Sequence, residues 1–142
     1  MKWDKDKFLK EIRKNTSREV AKVGEMLCDF SEKDADEVSW GRGEEYGTMT
    51  YKSKSDFGLI SLFQITSKGQ IKFCLNVLRQ KDVPKNIMRD FVIKLEANFL
   101  RDYDNVNYPI DSFEDMGELF TTGAQIDKLM QCIEGIAYRL RQ

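Results

Sequence analysis

The order of apolar patterns along the chain predicts an α+β fold. Apolar residues recur every three or four positions near both ends, as in helices buried on one side, and alternate with polar residues in the middle, as in strands. The predicted order is ααββββαα: an antiparallel sheet of about four strands with two N-terminal and two C-terminal helices. A length of 142 residues is typical of one domain, so residues 1–142 are assigned to a single unit.

Two helices are predicted over the first part of the chain. Phe8, Leu9 and Ile12 form the apolar stripe of the first helix. The second helix is expected to begin at residues 16–19, where a hydroxyl residue and a glutamate have the spacing of a capping box. Its buried side is then formed by Val20, Val23, Met26, Leu27 and Phe30.

Four strands are predicted as two hairpins. Residues 38–40 and 46–51 flank a glycine-rich loop in the first hairpin. Residues 59–66 and 71–78 form the second, joined by Ser67-Lys68-Gly69 with glycine where a tight turn needs it. Alternation in the last strand predicts one apolar face covered by helices and one mixed face. The alternating residues are Ile71, Phe73, Leu75 and Val77 on one side and Lys72, Cys74 and Asn76 on the other.

Two helices are predicted to complete the chain. The third is expected to open at Asp82-Val83-Pro84, because proline is tolerated in a first turn. A loop over residues 102–108 closes it, and the last helix begins near Thr122 or Gly123. Their apolar stripes are Met88, Phe91, Val92, Leu95 and Phe99, and Ile126, Leu129, Met130, Ile133, Ile136 and Leu140.

Composition excludes several kinds of chemistry. The chain has no histidine, which removes Ser-His and Cys-His catalysis and histidine-ligated zinc. Cys28, Cys74 and Cys132 are far apart among apolar neighbours, so they are interpreted as packing residues. No apolar run reaches the ~18 residues of a membrane span, and the charged N-terminus does not resemble a signal peptide. We therefore expect a cytoplasmic protein with no cofactor, no bound metal and no membrane contact.

The most distinctive segment is Trp40-Gly41-Arg42-Gly43-Glu44-Glu45-Tyr46-Gly47. Three glycines in eight residues indicate backbone that needs positive φ or close approach by another group. In a functional interpretation, amides near Gly41 and Gly43 form an anion-binding nest, Arg42 adds a guanidinium fork, and Trp40 and Tyr46 stack on a base or sugar. In a structural interpretation, Trp40 anchors the sheet and the glycines form a turn.

Charge is segregated along the chain. The net charge is +4 over residues 1–22, −6 over 23–51, +6 over 52–101 and −5 over 102–142. Clustered lysine and arginine residues attract phosphates, although the basic middle can also neutralise the acidic ends within the fold. The basic residues of the strands and third helix are Lys52, Lys54, Lys68, Lys72, Arg79, Lys81, Lys85 and Arg89.

A metal-dependent hydrolase is the enzymatic alternative. Such chemistry needs carboxylates and a lysine that converge on a metal ion. The sequence contains part of this pattern in Asp56, Gln64 and either Lys68 or Lys72. The pattern is incomplete because Gln64 occupies the position where an acidic residue would be expected. A second acidic group, Asp111, Glu114, Asp115 and Glu118, is interpreted as helix capping or solvated surface.

The glycine-rich loop and the strand after it resemble an uncharacterised bacterial W-G-x-G domain family. Members occur alone or C-terminal to nuclease-like or restriction-like regions. The matching positions are Trp40, Gly41, Gly43, Gly47, Ser67, Gly69, Gln70, Ile71, Phe73, Pro109 and Ile110. The resemblance spans residues 8–140 loosely and departs at Met49, where the family commonly has an aromatic residue. It implies an accessory or recognition domain connected with nucleic-acid processing or phage defence.

These observations favour a non-catalytic binding module over an enzyme. The expected contact residues are Trp40, Gly41, Arg42, Gly43, Tyr46, Lys52 and Lys54. A protein partner or a second copy of the chain is the expected ligand. The alternative is a weak nucleic-acid-binding component of a nuclease or defence system.

Overall fold

The computed structural model describes residues 2–99 and 113–142. The predicted loop at residues 102–108, together with Pro109, Ile110 and Asp111, lies outside the described residues. The elements are α1 (Lys5–Asn15), α2 (Arg18–Asp34), β1 (Glu37–Trp40), β2 (Thr48–Ser55), β3 (Gly58–Thr66), β4 (Gln70–Phe73), α3 (Leu75–Gln80), α4 (Lys85–Phe99), β5 (Glu114–Asp115), α5 (Met116–Leu119) and α6 (Gly123–Leu140).

The strands form one antiparallel sheet in the order β1-β2-β3-β4-β5. Each strand pairs with the next one in the chain; α1 and α2 precede the sheet, α3 and α4 come between β4 and β5, and α5 and α6 follow β5. The predicted α+β class is therefore confirmed, with the two-residue β5 as an additional strand. None of the helices in the described parts of the chain is long and apolar enough to cross a membrane.

The prediction that residues 71–78 form one strand is wrong. β4 ends at Phe73, and Leu75–Gln80 form the helix α3. The backbone N–H of Cys74 still donates to Leu62 O at 3.0 Å, next to the place where the β2–β3 register shifts. Leu75 and Leu78 then bury themselves at helical spacing. A short run of alternating apolar residues fits either period, and here the helix buries the leucines.

Helix α2 begins one residue later than a capping box at residues 16–19 would place it. Ser17 is the N-cap, and its hydroxyl oxygen accepts from Val20 N–H at 3.2 Å. The Thr16 hydroxyl instead donates to Ile12 O at 2.6 Å and closes α1. The start of the last helix is confirmed, with Thr122 as its N-cap and Gln125 accepting from the Thr122 N–H at 3.1 Å.

Three aromatic contacts show that helices pack on one face of the sheet. The ring centroids of Phe8 in α1 and Trp40 in β1 are 5.7 Å apart. Those of Phe30 in α2 and Tyr51 in β2 are 5.8 Å apart. Phe91 in α4 meets the ring of Phe73 in β4 edge-on at 6.4 Å. The prediction of one apolar, helix-covered face is confirmed, and the core lies between that face and the helices.

A polar clasp joins the C-terminal end of α6 to the start of the sheet. Arg141 donates from Nε to the Asp36 carboxylate at 2.9 Å and from a terminal guanidinium nitrogen to the Asp34 backbone O at 2.7 Å. Asp36 also accepts from the Lys54 backbone N–H at 2.7 Å. The buried Tyr51 hydroxyl donates to the Asp34 carboxylate, and burial followed by this hydrogen bond raises the pKa of Tyr51. The clasp therefore links α2, β2 and α6.

We expect Asp36→Asn to destabilise the protein in a pH-dependent way. The hydrogen bond from Lys54 N–H and the interactions with Arg141 lower the pKa of Asp36 from its ordinary value of 3.8. A depressed folded-state pKa stabilises the folded protein above the unfolded-state pKa, and this stabilisation disappears as the pH falls through the folded-state value. The difference in unfolding free energy between wild type and variant should therefore be full at neutral pH and shrink below pH 3.8.

Urea unfolding at a series of pH values measures this difference. Asp127→Asn, on the exposed side of α6, is the matched control because it makes the same chemical change outside the clasp. A difference for Asp36→Asn that stays constant across the acid range would contradict the electrostatic role of the clasp.

Candidate binding surface

The glycine-rich loop joins β1 to β2 and is bound to its neighbours through its backbone. Gly41 N–H donates to Thr48 O at 3.0 Å, which closes the end of the hairpin. At the other end, Gly47 N–H donates to the Ser67 hydroxyl oxygen at 2.8 Å, and Ser67 N–H donates to Gly47 O at 2.9 Å. Ser67 is fully buried in the β3–β4 turn. The loop is therefore part of the scaffold at this end of the sheet.

Trp3 occupies the space that these glycines leave open. Its side chain is buried, its backbone N–H donates to Gly41 O at 2.9 Å, and its indole Nε1–H donates to Gly43 O at 2.7 Å. A Cβ atom at Gly47 would lie 2.4 Å from Cε3 of the indole. Real Cβ atoms do not approach carbon that closely, so glycine is required at position 47.

The predicted anion-binding nest is not formed by the loop. A nest needs successive amides in alternating right- and left-handed conformations. Among the glycines of the described residues, positive φ occurs at Gly58 and Gly69, both outside the loop. The glycines of the loop are therefore explained by the close approach of another group and not by positive φ.

The aromatic and basic side chains of the loop have different surroundings. Trp40 is half-buried and packs against Phe8 on the apolar face. Tyr46 is half-buried beside Lys68, whose Nζ lies 5.1 Å from the ring centroid. Arg42 is exposed. The contact of Trp40 with Phe8 is the one expected from its anchoring role, and stacking of Trp40 and Tyr46 on a base or sugar stays a prediction.

Lys52 and Lys54 are remote from the loop. Both lie on β2, whose first residue is Thr48. Lys54 is six positions after Thr48, a step that covers about 20 Å along a strand. The residues predicted to form one site are thus divided between the two ends of the first hairpin.

The second face of the sheet is almost entirely polar. Cross-strand partners share a face, and alternate residues of a strand share it too. The longest row across the strands is Ser39, Thr50, Gln64 and Lys72. The rows beside it are Glu37, Lys52 and Ser61; Thr48 and Thr66; Gln70 and Asp115; and Lys54 and Leu59. We call this set of residues the polar face.

Hydrogen bonds between side chains order the middle of the polar face. Gln64 Nε2 donates to the Thr50 hydroxyl oxygen at 2.9 Å, which satisfies a threonine that is only 8% exposed. Lys54 and Leu59 are exposed, whereas Lys52, Gln64 and Lys72 are half-buried. Lys72 Nζ also lies 4.8 Å from the ring centroid of Phe113. The face therefore presents lysines within a fixed frame of hydroxyl and amide groups.

Sequence reasoning missed the hydroxyl and amide part of this surface. Lys52, Lys54 and Lys72 were identified as basic residues, but Ser39, Thr50 and Gln64 were not connected with them. The signal was the strict polar alternation of β2, in which Thr48, Thr50, Lys52 and Lys54 are every second residue. Only the strand register shows that Ser39 and Gln64 are the neighbours of Thr50.

The carboxylates considered for metal chemistry do not converge with the lysines. Asp56 lies in the β2–β3 turn, and Lys68 lies in the β3–β4 turn at the opposite end of β3. Asp115 is the N-cap of α5 and accepts from Gly117 N–H at 2.8 Å, as expected for a capping role. Within residues 2–99 and 113–142, no three histidine, cysteine, aspartate or glutamate residues are grouped as they would be to hold a metal ion.

Cys28, Cys74 and Cys132 are all buried, which confirms their interpretation as packing residues. Burial raises the pKa of Cys28 and of Cys132 to about 12. A thiol of that pKa has almost no thiolate, the reactive form, at neutral pH.

The fold and this surface together define an α+β domain with a helix-covered apolar face and a second, polar face. No protein-family model, curated protein or solved structure matches the chain. The resemblance to the W-G-x-G family therefore stays a prediction.

We expect Gly47→Ala to lower the unfolding free energy by about 1–3 kcal/mol, because the added methyl group displaces a buried indole. Urea unfolding followed by tryptophan fluorescence measures the change. Gly123→Ala is the matched control: nothing lies within 4 Å of its Cβ position, and Gly123 is the first residue of α6. Alanine there should stabilise by about 0.4–1 kcal/mol. Equal effects at the two glycines would contradict the seating of Trp3 on the loop.

We expect the thiols of Cys28 and Cys132 to react with a disulfide reagent at pH 8 on the order of a thousandfold more slowly than an exposed thiol, because of their raised pKa values. Release of the coloured product in the folded and urea-unfolded protein measures the rates. Asp56→Cys, in an exposed turn, supplies a fast internal standard. A fast native thiol in the wild-type protein would show that one cysteine is accessible.

Proposed function

We propose that the domain is a non-catalytic binding module that holds a negatively charged partner against the polar face. The observation that carries this proposal is the placement of Lys52, Lys54 and Lys72 on one sheet face among hydroxyl and amide groups. Lys52 lies 3.7 Å from Glu37, and it is the only one of the three in an ion pair with a described residue. Lys54 and Lys72 form no ion pair with a residue that the structure describes, so both can contribute charge to a partner.

The surroundings of the reactive groups support binding over catalysis. The cysteine thiols are buried, and burial raises the pKa of Cys28 and Cys132 to about 12, which lowers their reactivity. Asp56 and Lys68 lie at opposite ends of β3. On the polar face itself, the hydroxyl groups of Thr50 and Thr66 are hydrogen-bonded to neighbouring side chains. These groups suit recognition of a partner by hydrogen bonds and charge.

Two contacts between a lysine and an aromatic ring favour single-stranded nucleic acid as the ligand. Lys68 lies beside the ring of Tyr46, and Lys72 lies beside the ring of Phe113. Single-stranded nucleic acids are bound by combinations of cationic and aromatic side chains, which contact phosphates and bases respectively. An acidic protein surface is the alternative partner.

We expect the Lys54→Ala/Lys72→Ala double variant to bind nucleic acid more weakly and with less salt dependence. Each phosphate contact in a single strand contributes about 0.7 to the slope of log K against log salt, so losing two lowers the slope by about 1.4. Fluorescence anisotropy with a labelled strand of about 16 nucleotides measures both quantities over a salt series. Arg42→Ala, measured in parallel, tests whether the surface extends to the glycine-rich loop.

Lys33→Ala/Lys128→Ala is the matched control. It removes the same charge from exposed positions on α2 and α6, away from the polar face. The two double variants should differ clearly in slope. Equal slopes, or no binding by folded protein at low salt, would reject nucleic acid and leave an acidic protein as the partner to seek.

A further inference from the structure

A cleft lined by positively charged side chains lies at the corner between α1 and α2. It encloses about 550 Å³, and its lining residues are Arg13, Arg18, Ala21, Lys22 and Glu25. Small-molecule sites commonly have volumes of about 300–1,000 Å³. Because α1 and α2 pack on the apolar face, the cleft is on the helix side of the sheet and separate from the polar face.

Two of these cations are close together at the start of α2, and Glu19, three residues before Lys22, offsets only part of their repulsion. Arg18 is the first residue of α2, and Lys22 follows four residues later. Like charges at this spacing repel each other, and cations in the first turns face the positive end of the helix dipole. Neither side chain forms a hydrogen bond or ion pair with a residue that the structure describes. An anion in the cleft would relieve both repulsions.

Arg13 is held at the cleft by an acidic residue on the facing helix. Its terminal nitrogen lies 3.1 Å from the Glu25 carboxylate. The guanidinium group has five N–H donors, so this contact orients it and leaves further donors for a ligand. With Glu25 offsetting one cation, the three basic residues give the cleft a net charge of +2. That charge matches a dianion.

We propose that the cleft binds the phosphate group of a small phosphate monoester. A monoester carries a charge of about −1.5 to −2 at pH 7, and arginine presents donors that match phosphate oxygens. The volume beyond the phosphate group accommodates part of the esterified molecule. The three basic residues of the cleft contribute to the net charge of +4 over residues 1–22, which is visible in the sequence.

Amide NMR shifts during titration with phenyl phosphate, at constant ionic strength, test the proposal. We expect saturable shifts centred on residues 13–25. The Arg18→Gln/Lys22→Gln variant should bind about tenfold more weakly or worse, because it loses charge-assisted hydrogen bonds. Lys22→Arg keeps the charge and should retain binding. Inorganic phosphate, titrated in parallel, should bind no more tightly than the ester.

Lys33→Gln/Lys128→Gln, with the same loss of charge at distant exposed positions, should bind as wild type does. Shifts that do not saturate, or that are equal in both double variants, would overturn the proposal. So would binding of inorganic phosphate with exclusion of the ester. The nucleic-acid experiment uses Lys54 and Lys72, whereas this experiment uses Arg18 and Lys22. Either proposal can therefore fail without the other.

Discussion

The seating of Trp3 on the glycine-rich loop is the contact on which the rest of the structure depends. The indole bonds to Gly43 O and lies against Gly47, and Gly47 is bonded in turn to Ser67 in the β3–β4 turn. Gly69 of that turn has the side chains of Thr16 and Val20 within 2.9 Å of its Cβ position. The N-terminus, two turns of the sheet and the α1–α2 corner are thereby packed together at one end, where side chains on the glycines would not fit.

This arrangement decides which surfaces remain for a partner. The loop at residues 40–47 makes internal backbone hydrogen bonds at Gly41, Gly43 and Gly47, and Trp40 faces the helices. The polar face is free of that role, because its side chains bond mainly to one another. Under the proposed function, a partner binds along this polar face, on the side of the sheet opposite the helices.

Part of the segregated charge is neutralised by ion pairs within the fold, and attraction of phosphates by the rest stays a proposal. Lys5 bonds to Asp29 and Glu32, Arg139 to Asp90, and Arg141 to Asp36, so part of the basic charge neutralises acidic segments within the fold. Among the other basic residues, Lys54 and Lys72 lie on the polar face, and Arg13, Arg18 and Lys22 line the α1–α2 cleft. The distinction depends on which side chains meet across the core, and counting charges along the chain does not reveal it.

The sequence by itself determined the α+β class, most of the helices and strands, and the burial of the three cysteines, because these follow from local apolar periodicity and turn chemistry. It did not determine that β4 stops at Phe73, since residues 71–78 fit two periods and only packing beside β3 selects the helix. It predicted the importance of the glycine-rich loop but not its cause, because Trp3 lies 44 residues from Gly47 in the chain. Strand register and helix packing decided which polar residues are neighbours, and those long-range contacts leave little trace in local sequence.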